Sequence, residues 1–126
     1  MEKPDPAVDR LGIEVVEAEP GRAVAQMTVT EEMLNSHGVC HGGLLFLLAD
    51  TTMDYATNSG DEMAFAAHAE IDYLRPAVVD DRVIATGTTR ERWGRTTLLD
   101  AVIVHADTGD TIAQFRGRTR TTGKRS

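Results

Sequence analysis

Residues 44–49 read Leu-Leu-Phe-Leu-Leu-Ala, six apolar side chains in a row, and an aspartate, Asp50, follows directly. The run sits inside a segment that reads as one helix from about His41 to Asn58, closed by Asn58-Ser59-Gly60-Asp61. A helix that is apolar all round has to be buried all round. Six residues are far too few to cross a bilayer, so no membrane partner is expected. The rest of the chain therefore has to wrap this one helix.

Strands are the material for that wrap. Residues 11–17 and 22–30 flank Pro20-Gly21 and predict a hairpin. Thr30-Glu31-Glu32 predicts a short helical turn, with a hydroxyl cap and acids in its first turn. After the long helix come strand signals at 63–74, 82–93, 96–106 and 111–122. They are punctuated by Arg75-Pro76, Gly94-Arg95 and Asp107-Thr108-Gly109-Asp110. Strands around a single helix predict an α+β class with an antiparallel sheet. At 126 residues the chain is one domain, 1–126, with 1–10 and 123–126 expected as loose ends. The only cysteine, Cys40, excludes an intrachain disulfide, and the acidic N-terminus does not resemble a secretory signal. Both point to a cytoplasmic protein.

The net charge is −7, which disfavours nucleic-acid partners. Residues 1–62 hold three bases and twelve acids; residues 63–126 hold ten bases and eight acids. The basic half includes Arg90, Arg92, Arg116, Arg118 and Arg120. Such residues protect a sheet edge or receive an anionic small ligand.

Asp50 is the residue most in need of an explanation. Its helical neighbours at three and four residues are Phe46, Leu47, Met53 and Asp54. Apolar surroundings and a like charge both raise a carboxylate's pKa. A buried, unpaired carboxylate is costly, so Asp50 either pairs with an arginine such as Arg75 or Arg116 or has a chemical purpose. His41-Gly42-Gly43 opens the same helix. The first N–H groups of a helix lack internal acceptors, and glycine admits a ligand close to the backbone, which suits an oxyanion. Gly42 and Asp50 lie eight residues apart, roughly 12 Å along the axis. An oxyanion donor and a base both need to lie within about 3 Å of the reacting groups. One helix cannot supply both, so a working site needs Gly42 of one chain opposite Asp50 of another. His37, Cys40, His41 and His68 carry no recognised metal-ligand spacing, and no metal is assigned. No phosphate loop, dinucleotide fingerprint or nucleophile elbow is present.

The run Asn35-Ser36-His37-Gly38-Val39-Cys40-His41-Gly42-Gly43 and the following Leu44 to Thr51 closely resemble the hotdog-fold acyl-CoA thioesterases of the phenylacetate-degradation type. Ile71-Asp72-Tyr73-Leu74-Arg75-Pro76-Ala77 and Phe115-Arg116-Gly117 extend the resemblance over roughly 11–122. The resemblance implies a long central helix wrapped by a curved antiparallel sheet. It implies homodimers pairing sheets edge to edge, or homotetramers made from such dimers. It also implies hydrolysis of an acyl-CoA, with an aromatic or aryl-acetyl acyl group favoured. Asp50 would be general base or nucleophile, the Gly42 N–H would hold the thioester oxygen, and Asn35 and His41 would orient the carbonyl or the water. Gly43 and Phe46 would contact substrate, and Arg90, Arg92, Arg116 and Arg118 would receive coenzyme A. No cofactor is implied beyond the coenzyme A of the substrate. Two departures stand out: the third strand offers no hydroxyl within Ala64-Phe65-Ala66-Ala67-His68, and Asp54 and Thr57 are polar where relatives are apolar or small. The alternatives are a hydratase or dehydratase of the same fold acting on enoyl-CoA, and a non-catalytic acyl-CoA binding module.

Overall fold

The computed structural model describes residues 5–124. A short helix α1 (Pro6–Arg10) precedes the hairpin β1 (Glu14–Glu19) and β2 (Arg22–Thr28). A 3-10 turn at Glu31–Met33 leads to the long helix α2 (Gly42–Asn58). Four strands follow: β3 (Glu62–Tyr73), β4 (Arg82–Trp93), β5 (Thr96–His105) and β6 (Thr111–Lys124). All six strands form one antiparallel sheet in the order β1-β2-β4-β5-β6-β3. The first strand made after the helix is thus an outer edge, and the hairpin forms the other edge.

The period-two pattern decides which face each strand buries. On β6, Ala113, Phe115, Gly117, Thr119 and Thr121 are buried while Gln114, Arg116, Arg118 and Arg120 are exposed. On β5, Thr97, Leu99, Ala101 and Ile103 point the same way, as do Val83, Ala85 and Gly87 on β4. Helix α2 lies on that face and contributes Leu45, Leu48, Ala49, Thr52, Met53 and Ala56 to the core. Gly87 lets the helix sit close. A Cβ there would come within 2.5 Å of Thr52 Oγ1 and 2.9 Å of Thr52 Cβ. Register shifts at Val15/Glu17, Ala66/His68 and Thr89/Glu91 bend the sheet around the helix.

Three expectations change. The lead-in is not loose throughout. Asp5 caps α1 by accepting from the Val8 N–H at 3.3 Å, Pro6 opens the helix, and Val8 is buried in the core. At the other end, 123–124 continue β6; residues 1–4 and 125–126 of the expected loose ends lie outside the described residues. Finally, α2 is not buried on every side. Leu44, Phe46, Leu47 and Asp50 are only half-buried, because one sheet covers one side of a helix.

Candidate active site

The site is organised from the loop before α2. Asn35 Oδ1 accepts the backbone N–H of His37 at 2.8 Å and of Val39 at 3.3 Å, folding 35–40 into a tight turn. Its amide nitrogen meets no acceptor among the described residues and can be offered outward. The Cys40 N–H donates to Ala77 O at 2.8 Å and the His41 N–H to Met33 O at 2.9 Å, anchoring the turn on both sides. His41 is the N-cap by position; its carbonyl accepts from Leu44 and Leu45, and its imidazole is exposed and makes no capping bond.

Gly42 and Gly43 then start the helix, and neither N–H finds an acceptor among the described residues. Tyr73, the last residue of β3, crosses to this point. Its hydroxyl donates to Gly42 O at 2.7 Å, and its ring fills the space that a Cβ at Gly42 would need, 2.7 Å from Tyr73 Cζ. A Cβ at Gly43 would meet nothing within 4 Å, so that position opens freely outward. A 460 Å³ cleft opens beside the helix start, bounded by Val39, Cys40, Gly42, Leu45 and Tyr73 through Pro76.

Asp50 occupies the middle of α2, eight residues from Gly42 and eight from Asn58, on a helix without a break. It is half-buried, and no donor among the described residues bonds its carboxylate. Burial pushes its pKa up, and the charges of Asp54 and Asp5 add to the shift. The arginine alternatives fail: Arg75 donates to Thr111 O at 2.8 Å, and Arg116 grips Asp100 at 2.6 and 2.9 Å. Asp50 is thus a half-buried carboxylate without a cationic partner among the described residues. Within one chain the Gly42 N–H stays roughly 12 Å along the axis from it.

The other expected residues are spread more widely. Phe46 packs edge-on against Phe115, with ring centroids 5.3 Å apart, so part of its surface belongs to the core. Arg90 and Arg116 share Asp100, and Arg92 pairs with Glu62 at 2.8 Å. Arg118 makes no ion pair among the described residues. The β6 alternation puts Arg116 and Arg118 on the sheet face away from α2. Arg90 and Arg92 line a separate 690 Å³ cleft near the C-terminal end of α2, with Ala56, Thr57 and Glu62. One chain does not bring these arginines together with Asp50. His68 also turns outward, beside Glu70 at 3.5 Å, because the register shift between Ala66 and His68 reverses the alternation.

Tyr73 and Asp100 are the residues that sequence reasoning leaves without a role. Tyr73 shares the parity of Ala69 and Ile71, which pack toward the helix, but that signal is legible only once the register shift is known. Asp100 stands opposite Arg116 across the β5–β6 ladder, a pairing no single strand reveals.

Residues 37–112 match the thioesterase superfamily. The chain is 42% identical to the Escherichia coli K12 acyl-coenzyme A thioesterase PaaI, over 98% of this chain and 87% of that one. The solved structure of the E. coli PaaI protein from the phenylacetic acid degradation operon superposes with a TM-score of 0.91, covering 95% of this chain and 86% of that one. The TT0310 protein of Thermus thermophilus is 33% identical with a TM-score of 0.89, over 95% of this chain and 100% of that one. A hypothetical thioesterase protein of Streptococcus pneumoniae TIGR4, solved with coenzyme A, is 25% identical with a TM-score of 0.85, over 90% of this chain and 91% of that one. With its long helix, its six-stranded antiparallel sheet and these likenesses over nearly its whole length, the chain belongs to the thioesterase superfamily and has the hotdog fold.

Proposed function

We propose that this chain hydrolyses acyl-coenzyme A thioesters, releasing a free acid and coenzyme A, at a site built by two copies. The observation that carries the proposal is Asp50: half-buried, mid-helix, and without a cationic partner among the described residues. In this reading, Asp50 of one chain takes a proton from water as the water oxygen attacks the thioester carbon. The Gly42 N–H of the neighbouring chain holds the oxyanion that forms. Collapse breaks the C–S bond, and the departing thiolate takes the proton from Asp50. A direct attack by the carboxylate, which breaks the C–S bond, expels the coenzyme A thiolate to be protonated by water and leaves an anhydride that water then opens, also needs the ionised form. Asn35 and His41 stand beside the helix start and orient the carbonyl or the water.

Two chains are required by the length of the helix, and β3 is an unpaired sheet edge suited to a second copy. An aromatic or aryl-acetyl acyl group is favoured because the E. coli relative comes from a phenylacetic acid degradation operon. Coenzyme A is anionic, and Arg118 is the predicted arginine whose charge is least committed within the fold.

The test follows thiol release across a panel of acyl-CoAs that includes aryl-acetyl and straight-chain esters. Turnover is expected on at least one ester, and Asp50→Asn should lower kcat by at least about 100-fold with KM little changed. Normal turnover in Asp50→Asn would sink the assignment of the base. An enoyl-CoA consumed without thiol release would favour the hydratase reading, and binding without any turnover would favour the non-catalytic module.

A further inference from the structure

The start of α2 is held in a specific way. Each of its first two free N–H groups belongs to a peptide whose carbonyl is already engaged. The His41 carbonyl, in one peptide plane with the Gly42 N–H, accepts from Leu44 at 3.1 Å and Leu45 at 3.3 Å, with Cys40 Sγ at 3.6 Å. The Gly42 carbonyl, in one plane with the Gly43 N–H, accepts from the Tyr73 hydroxyl at 2.7 Å. The first engagement comes from the helix and its own cap. The second comes from the far end of β3, 31 residues away in sequence.

A hydrogen bond to a carbonyl does two things to its peptide. It fixes the plane, and it draws electron density toward oxygen, which strengthens the N–H on the other side as a donor. Tyr73 also fills space. Its Cζ lies 2.7 Å and its hydroxyl 2.9 Å from where a Gly42 side chain would begin, so ring and glycine are fitted to each other. The tyrosine is half exposed and lies at the mouth of the cleft beside Gly42, so its bond gains little for core packing. A surface tyrosine reaching across to one glycine carbonyl is well placed to set the direction of the donors beside it.

We propose that Tyr73 is a positioning residue for the thioesterase reaction: it clamps the Gly42–Gly43 peptide, which fixes the Gly43 N–H directly and the Gly42 N–H through the shared glycine, and so aims the helix start at the thioester oxygen. The inference rests on the proposed function for its reaction and on the hydroxyl-to-carbonyl bond for its geometry. Tyr73 touches the peptide and acts through it. The oxyanion exists only after attack, so loss of the clamp should appear in turnover and much less in substrate binding.

Tyr73→Phe is the informative variant, because it keeps the ring against Gly42 and removes only the donor. The expected result is a fall of about tenfold in kcat, KM within about twofold, and a melting temperature close to that of the parent chain. In the same variant the backbone amide resonances of Gly42 and Gly43 should move and exchange faster with solvent. Tyr73→Leu, which also empties the space beside Gly42, should lose more turnover than Tyr73→Phe. Full turnover in Tyr73→Phe, with Asp50→Asn inactive, would overturn the clamp and leave the proposed function standing. Unmoved Gly42 and Gly43 amides in Tyr73→Phe would overturn it too, whatever the turnover. A fall carried by KM alone would assign Tyr73 to substrate binding and overturn the positioning role. A wild-type chain inactive on every acyl-CoA would overturn the proposed function and, with it, the reaction Tyr73 is said to serve.

Discussion

The seat of α2 on the sheet is set by Gly87, and replacing it with alanine tests how tightly the helix is held. The new Cβ would lie 2.5 Å from Thr52 Oγ1 and 2.9 Å from Thr52 Cβ, well inside contact distance. Thr52 has little room to yield. It is fully buried, β-branched, and its hydroxyl is spent on Ala49 O at 2.7 Å. Either that bond breaks or the helix lifts from the sheet. Overpacking of this kind costs about 1–3 kcal/mol. Alanine recovers roughly 0.5–1 kcal/mol by stiffening the unfolded chain. Because Thr52 has so little room, the cost falls in the upper part of that range, about 2–3 kcal/mol, for a net loss of about 1–2.5 kcal/mol; at about 4 °C per kcal/mol for a chain of this length, the melting temperature should fall by about 4–10 °C. Asp50 lies two residues before Thr52 on the same rigid helix, and a shift of about 1 Å at a catalytic group can cost about 100-fold. Turnover should therefore fall as well, with the protein still folded. Thermal melts followed by circular dichroism, together with thiol-release kinetics, read both effects. Adding Thr52→Ala removes the nearest clashing atom, so the double variant should lose less than the sum of the single ones. A Gly87→Ala chain melting within 1–2 °C of the parent (about 0.5 kcal/mol or less), or strict additivity in the double variant, would refute the close-seat argument.

Two further outcomes are expected. Arg118→Ala should raise KM for an acyl-CoA more than it lowers kcat, with the effect shrinking as salt is added, whereas Arg116→Ala should do less because Asp100 already holds that guanidinium; unchanged KM in both variants and in Arg90→Ala, Arg92→Ala and Arg120→Ala would reduce the basic strands to a solvated face. The Val78 N–H at 2.9 Å, with help from His105 at 3.1 Å, holds the Asp81 carboxyl below the usual carboxylate range. A depressed folded pKa stabilises the fold above the unfolded value of about 3.9 and loses that contribution as pH falls through the folded value. The melting-temperature gap between the parent and Asp81→Asn should accordingly be full near neutral pH and close in acid; a gap independent of pH would contradict it.

Much of the fold is legible in local pattern. The apolar run with Asp50 inside it marks α2, and the alternation of 111–122 marks β6 to within two residues. Pro20-Gly21 and Gly94-Arg95 mark two hairpins for steric reasons that need no tertiary context. The misses have one kind of cause, contacts made across the sheet. Asp5-Pro6 is itself a helix-start signal, and what local pattern does not show is the burial of Val8 in the core, which makes α1 more than a loose lead-in. The direction of His68 depends on a register shift set by pairing with β6. The arginines look like one basic patch in the sequence; Asp100 and Glu62, on other strands, neutralise three of them. Helix geometry singles out Asp50 and Gly42 as candidates in the sequence, and Asn35 enters only through the family resemblance. Tyr73 is not legible, because its partner lies 31 residues away.

The central claim is that Asp50 of one chain works against Gly42 of another. Mixing two disabled chains tests it most directly. One carries Asp50→Asn; the other carries Gly42→Pro, which removes the backbone donor at the first helical position and spoils the helix start, since its Cβ would meet the Tyr73 ring at 2.7 Å. Each homo-oligomer should be inactive. Once both variants are shown to fold and to associate on size-exclusion chromatography, they are unfolded together, refolded at equal concentrations, and assayed for thiol release. Random pairing makes half of the dimers mixed, and each mixed dimer holds one intact site of two, so about a quarter of the wild-type turnover should return. No recovery from folded mixed oligomers would contradict the shared site, and a fully active monomer would exclude it.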